Sequence, residues 1–284
     1  MNFMKFRPLF FLISLVLLSM SVYSIMFWKF KPSVDFSGGS VWELNLPSQP
    51  DRPKIDQVFT SQNIKLSSFS QNQTVYLLKF ENITSDQKVS LQQQLQKLDP
   101  DLKEQRFETL GPLLGRELLK KTIYAIVLAS LFLLVFIGTR FHDFTFGLSA
   151  ILAMLHDALI LVGSFSILGR FFNAEVDSLF VTALLTTLSA SVHDTVVTFD
   201  RIRELKRQLS KLNWVELANA AITETIVRSL NNSMTIIFML TSLVVLGGAT
   251  TRWFAVALLI GVICGTYSSF AVAIPLVLFW KRKK

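Results

Sequence analysis

The amino-acid sequence predicts a polytopic α-helical membrane protein: six transmembrane helices with a small α+β, ferredoxin-like extracytoplasmic domain between helices 1 and 2. Three observations predict it. Of 284 residues, 51% are hydrophobic and only 17% charged, where a soluble domain has roughly a quarter charged. Six apolar runs come close to the about 20 residues that a helix needs to cross about 30 Å of hydrocarbon. Between the first two runs lies one long polar stretch, residues 29–121.

The first run is Leu9 to Trp28. Lys5 and Arg7 precede it as in a signal peptide, but it is longer than a signal core and no small-x-small cleavage site precedes Met26-Phe27-Trp28-Lys29-Phe30. An uncleaved span is expected, giving residues 1–28 as the N-terminus and first helix.

Residues 29–121 form the expected periplasmic α+β domain with its connecting helix. Val34 to Leu46 reads as a strand interrupted by Gly38-Gly39, and Lys54 to Asn63 as a helix after Pro53. Ile64 to Ser70 and Thr74 to Phe80 read as strands. Thr84 with Gln87 three residues later is a capping box opening an amphipathic helix through Leu98. Lys103 to Leu110 is the last strand. The order β-α-β-β-α-β is that of a ferredoxin-like module.

The remaining spans, within residues 122–284, are Thr122 to Gly138, Phe146 to Leu168, Ser178 to Phe199, Ser229 to Leu246 and Phe254 to Trp280. Lys and Arg in short flanks set orientation. One side holds Lys5, Arg7, Arg140, Arg201, Arg203, Lys206, Arg207, Lys211, Arg228, Lys281, Arg282, Lys283 and Lys284, and the alternate loops hold Arg170 and Arg252. Both termini are therefore expected in the cytoplasm. Of 28 basic and 20 acidic residues, residues 29–121 hold 13 and 11, leaving 15 and 9 elsewhere. The net charge of +8 is thus mainly a topology signal, and nucleic acid is not an expected partner. The single cysteine, Cys264, excludes an internal disulfide.

Ionisable groups inside spans carry the chemistry, because a charge at mid-membrane costs about 2.5–3.5 kcal/mol on insertion scales. Asp157 sits near the middle of span three and Asp194 in the cytoplasmic half of span four, each preceded by a histidine, His156 and His193. Two readings stand side by side. Either these groups hydrogen-bond neighbouring helices and hold the bundle, or desolvation tunes a carboxyl to load and release a proton. Thr187, Ser191, Asp194, Thr195 and Thr198 recur at helical spacing, a stripe that faces protein or a hydrated cavity instead of lipid. Arg228 begins span five at a depth that could meet Asp194 and lower its pKa; the alternative is an interfacial anchor, with Glu224 as its surface partner. Asn231, Asn232, Ser233 and Thr235 extend a polar lining into that span. Gly261 and Gly265 have GxxxG spacing, followed by Ser268 and Ser269.

Enzymatic readings are weak. There is no G-x-x-x-x-G-K-[ST] loop and no H-E-x-x-H, and Gly163-Ser164 with a distant histidine is too little for a serine protease. A metal site built from His156, Asp157, His193 and Asp194 is conceivable but not the expectation, and no cofactor is expected.

The run Ser191-Val192-His193-Asp194-Thr195-Val196-Val197-Thr198-Phe199-Asp200-Arg201-Ile202-Arg203-Glu204 resembles the fourth-span signature of the SecF family, the smaller partner of SecD in bacterial protein export. Val34-Asp35-Phe36-Ser37-Gly38-Gly39 is similar to the D-F-x-G-G element after the first span. Gly111-Pro112 with Gly115 and Glu117-Leu118 is similar to the element before the second. Met154-Leu155-His156-Asp157 resembles the third-span motif, and Gly265-Thr266-Tyr267-Ser268-Ser269 the sixth-span one.

The resemblance implies a heterodimeric member of the resistance-nodulation-division superfamily in the bacterial inner membrane. Its implied partners are a SecD-like chain, the SecYEG channel, a YajC-like small membrane protein and unfolded preprotein. It implies gradient-driven help in late preprotein translocation and in some membrane-protein integration. It maps the proton-carrying aspartate onto Asp194 and the span-five arginine onto Arg228, with Asp157 at another motif position. His193 stands where the family usually carries Asn, so it joins the expected relay residues, while sodium remains an alternative coupling ion. Rival readings are a small-molecule effluxer of the same superfamily, for which the outer segment is too small, and a purely structural translocon subunit.

Overall fold

The computed structural model describes residues 2–140, 143–209 and 211–281; Arg282, Lys283 and Lys284 of the expected topology signal lie outside them. A 3-10 turn, Phe3–Phe6, leads into helix α1 (Arg7–Trp28). A helical turn α2 (Val34–Ser37), strand β1 (Gly39–Asn45), α3 (Arg52–Ser61), β2 (Leu66–Asn72), β3 (Val75–Phe80), α4 (Ser85–Leu98) and β4 (Lys103–Leu110) follow. The remainder is helical: α5 (Pro112–Arg140), α6 (Phe144–Phe172), α7 (Ser178–Gln208), α8 (Trp214–Leu246), α9 (Ala249–Ser268), a π-helical turn (Ser269–Ala273) and α10 (Ile274–Lys281). Among the described residues six helices are long and apolar enough to span a bilayer, with α9, the π turn and α10 forming the sixth.

The strands form one antiparallel sheet of order β2-β3-β1-β4, as the β-α-β-β-α-β reading expects. Alternation fixes its inner face. Trp42 and Leu44 of β1 and Tyr76, Leu78 and Phe80 of β3 are all buried, with Trp42 opposite Leu78 and Phe107 in register. They pack on Ile55 and Phe59 of α3 and Leu91 and Leu95 of α4, each pair at the i, i+4 spacing that puts two side chains on one helix face. The Thr84 capping box is formed: its hydroxyl accepts the Gln87 N–H at 3.3 Å and Gln87 Oε1 accepts the Thr84 N–H at 2.9 Å.

The expected strand from Val34 is corrected. Residues 34–37 make a single helical turn, and the strand begins only at Gly39. The reason lies in the two glycines. Gly38 and Gly39 take φ values of 78° and 144°, in a region that side chains disfavour. A Cβ on Gly39 would lie 2.7 Å from the Phe80 carbonyl. A Cβ on Gly115, at the start of α5, would lie 2.9 Å from the Gly38 nitrogen. The D-F-S-G-G and Gly111–Gly115 elements therefore meet where the sheet joins span two.

Small residues let the spans approach. A Cβ on Gly163 would overlap Ser21 of α1, and Ser24 Oγ donates to the Gly163 carbonyl at 2.9 Å while Ser166 Oγ donates to that of Ser24 at 2.8 Å. Between α7 and α9, Gly261 faces Thr187 and Gly265 faces Ser191, the close packing expected of the GxxxG spacing.

Two spans are longer than hydropathy alone indicates. Span four runs on past Asp200 to Gln208, and span five begins at Trp214, not at Ser229. Asn213 opens α8 with a capping box to Glu216, and Lys206 stacks on the Trp214 ring at 4.2 Å. Arg228 thus lies well inside a continuous helix.

Candidate functional site

Helix α7 takes part in two polar centres, through Ser191 and through Asp194. The inner centre is Asp157, 4% exposed at the meeting of α6, α7 and α9. Ser191 Oγ and Ser268 Oγ both donate to its Oδ2 at 2.5 Å, and His156 Nδ1 lies 2.9 Å from Oδ1. Donors from α7 and α9 converge on this carboxylate of α6, so it is held by three spans at once. His156 Nε2 is buried without a hydrogen-bond partner, and its ring stacks 6.4 Å from that of Tyr267. Tyr267 in turn donates from its hydroxyl to the Phe10 carbonyl at 2.8 Å, tying span six to span one.

The outer centre is Asp194. It is half-buried, its Oδ2 accepting a 2.8 Å hydrogen bond from Ser229 Oγ of α8. It lines a cavity of about 630 Å³ with Ser191, His193, Asn232, Ser233, Gly261, Gly265 and Thr266. Ser233 and Thr266 hydroxyls meet at 2.6 Å across α8 and α9. His193 is exposed on this face. The polar stripe expected on span four is buried at Thr187, Ser191, Thr195 and Thr198. Thr195 and Thr198 return their hydroxyls to carbonyls one turn back, at 3.0 and 3.2 Å, satisfying themselves within the helix.

Arg228 occupies a neighbouring place. It is exposed and lines a separate cavity of about 550 Å³ with Asp200, Arg201, Glu204, Glu224 and Thr225. Among the described residues it makes no ion pair with Asp194; the side chain that reaches Asp194 is its neighbour Ser229. Glu224 is not Arg228's partner, as the i, i+4 spacing suggested, but pairs across the helices with Arg201. Arg201 also bonds Glu204 at 2.5 Å, and Asp200 joins Arg140 of α5 at 2.5 Å. Asn231 and Thr235 are corrected as well: both are exposed, and Thr235 Oγ1 donates to the Asn231 carbonyl at 2.9 Å instead of lining the Asp194 cavity.

The motif residues after span one sit at the opposite end. Asp35 Oδ2 accepts from the Ser178 hydroxyl at 2.8 Å and its N–H at 3.2 Å, while Phe36 is buried. The four groups considered as metal ligands do not gather. Among the described residues no three His, Cys, Asp or Glu side chains are placed to hold an ion. Sequence reasoning missed Ser229 and Thr266. The signal for Ser229 was its phase on the helix, facing Asp194 where Arg228 was expected.

Six spans, a four-stranded sheet and ionisable side chains set between helices define a multi-pass membrane protein with its polar chemistry inside the bundle. Residues 90–283 match the family described as protein export membrane protein SecD/SecF, C-terminal. The chain is 36% identical to the protein translocase subunit SecF of Thermobaculum terrenum, over 99% of this chain and 94% of that protein. It is 30% identical to that of Haemophilus influenzae over 97% and 84%. The crystal structure of SecDF from Thermus thermophilus superposes with a TM-score of 0.87 at 30% identity, covering 99% of this chain and 39% of that one. SecDF in its super-membrane-facing form gives 0.73 at 29% identity, covering 100% of this chain and again 39% of that one. The chain belongs to the SecF family of protein translocase subunits.

Proposed function

We propose that this chain pairs with a SecD-like subunit and uses the proton gradient to promote late stages of preprotein translocation and some membrane-protein integration. Sodium is the alternative coupling ion. In this reading the pair attaches to SecYEG with a YajC-like protein in the bacterial inner membrane. Both termini are cytoplasmic, and residues 29–121 lie outside, where unfolded preprotein emerges. The observation that carries it is Asp194, half-buried and opening into a polar cavity on the flank of the bundle.

The chemistry is transport, with no covalent step. Asp194 alternates between ionised and protonated forms. Ser229 donates a hydrogen bond to its Oδ2. Arg228 stands one residue earlier on α8, so a turn or tilt of that helix exchanges a hydroxyl for a guanidinium beside the carboxyl and drives the proton off. In this reading His193, on the same cavity wall, receives it. One charge crossing 100 mV supplies about 2.3 kcal/mol, so a few protons suffice to change the posture of the outer sheet.

The test is preprotein export in membrane vesicles whose only copy of this subunit is Asp194→Asn. The expected result is loss of gradient-dependent export with the partner still co-purifying. Wild-type export by that variant overturns the relay and leaves a scaffold.

A further inference from the structure

An ionic joint at the outer end of the bundle plays no part in the ion site described above. Glu175, in the loop between α6 and α7, is 7% exposed. Its carboxylate takes Lys79 Nζ from β3 at 2.7 Å and Lys31 Nζ at 3.5 Å. Lys79 also donates to Ser33 Oγ at 3.2 Å. Around this pair the segment after α1 runs alongside the loop. The Ser33 N–H donates to the Val176 carbonyl and the Val176 N–H to that of Lys31, both at 2.9 Å. Asp35 then bonds Ser178, the first residue of α7.

Solvent-exposed ion pairs contribute little, but this one is withdrawn from water, with side-chain exposures of 15% and 8%. Removing Glu175 leaves Lys79 withdrawn from water without its counter-ion, and removing Lys79 leaves the Glu175 carboxylate only the longer contact to Lys31 at 3.5 Å, so the pair couples the sheet to the loop. Beyond the loop, α7 runs unbroken from Ser178 to Asp194, about 24 Å at the helical rise, with no Gly or Pro between them. Helices bend sharply at such residues or at π turns, so α7 is built to carry displacement along its length.

We propose that the Lys79–Glu175 pair is the strut by which the state of Asp194, midway along that helix, is passed to the outer sheet. Both are positioning residues for gradient-driven transport, and the proposal rests on the reading of Asp194 given above.

The experiment uses full-length chain in native-membrane vesicles and measures preprotein export with and without an imposed gradient, normalised to chain content. Glu175→Gln and Lys79→Gln are expected to lower the gradient-stimulated component about tenfold, within the range of measured site-to-site couplings, and to spare the gradient-independent one. The charge swap Lys79→Glu with Glu175→Lys restores most of it. Glu175→Asp, which keeps the charge but shortens the reach, gives an intermediate value at unchanged chain level. Wild-type stimulation in Glu175→Asp and Glu175→Gln, a swap as impaired as the single variants, or a parallel fall in both components overturns the strut. Asp194→Asn is run alongside: if it alone is inactive the relay stands and the strut falls, and if it exports like wild type the relay itself has failed.

Discussion

Ser191 donates a 2.5 Å hydrogen bond to Asp157, and it does so from the helix that carries Asp194 one turn further on. The two acidic centres are therefore linked through α7, one sealed among three spans and the other open to a cavity. Ser268 meets the same oxygen of Asp157 at 2.5 Å from the last residue of α9. Immediately after it the helix widens into a π turn, a feature often found at functional sites.

Asp157→Ala removes the acceptor of both hydroxyls. Each buried group left unsatisfied costs about 1–3 kcal/mol, so the variant is expected to be less stable by about 3 kcal/mol, with Ser268→Ala losing about 1 kcal/mol. Thermal denaturation of the purified chain in detergent reads both. An Asp157→Ala melting curve that overlays wild type would show that the carboxylate does not hold the spans.

Gly261→Leu is expected to part α7 from α9, since even a Cβ there overlaps Thr187. Gly265→Ala is milder, its Cβ lying 3.1 Å from that of Ser191, and should cost about 1–3 kcal/mol as overpacking does. Chain level in membranes and melting temperature rank the two, and a stable Gly261→Leu would mean that the helices are not packed at this point.

Six spans, the sheet order and the small-residue contacts were legible because each rests on a constraint that residue types must obey: bilayer thickness, strand alternation and backbone approach. What was not legible depends on phase and on long side chains. Hydropathy cannot see residues 214–228 as helix, because that stretch carries Glu216, Glu224 and Arg228 among its apolar residues. Once the helix is continuous, its phase brings Ser229 and not Arg228 to Asp194. Glu224 likewise has two arginines in reach, and only the three-dimensional arrangement selects Arg201. The helical turn at Val34–Ser37 escaped for a related reason: Gly38 and Gly39 mark a break, but not what precedes it.

Arg228 supplies a graded test of the relay. If the guanidinium visits Asp194 during transport, Arg228→Leu slows gradient-dependent export by about the tenfold typical of a lost site coupling, while Arg228→Lys retains part of the rate because it keeps the charge without the planar fork. Export rates at matched chain level check this. Indifference to both substitutions would make Arg228 an interfacial anchor.

Asp177 gives a pH-dependent prediction outside the membrane spans. It caps α7 by accepting the Phe180 N–H at 2.8 Å. Burial raises its pKa above the ordinary 3.8, opposed by that N–H and by Lys79 and reinforced by Asp35 and Glu175. A carboxyl with a raised pKa in the folded state binds its proton more tightly there than in the unfolded chain. Its stabilising contribution is therefore complete below 3.8 and is lost as pH rises through the elevated value. At neutral pH the ionised Asp177 is a burden that its capping bond only partly offsets. Asparagine caps about as well as aspartate, whereas alanine forfeits about 1 kcal/mol. Asp177→Asn is thus expected to melt above wild type at pH 7, with the difference shrinking as the pH approaches 3.8, while Asp177→Ala forfeits the capping bond and melts below Asp177→Asn. Carboxyl titrations common to the chains cancel in the comparison. Equal melting of the Asn and Ala variants across that range would show that the cap, and with it the placement of the helix bearing Asp194, does not depend on this side chain.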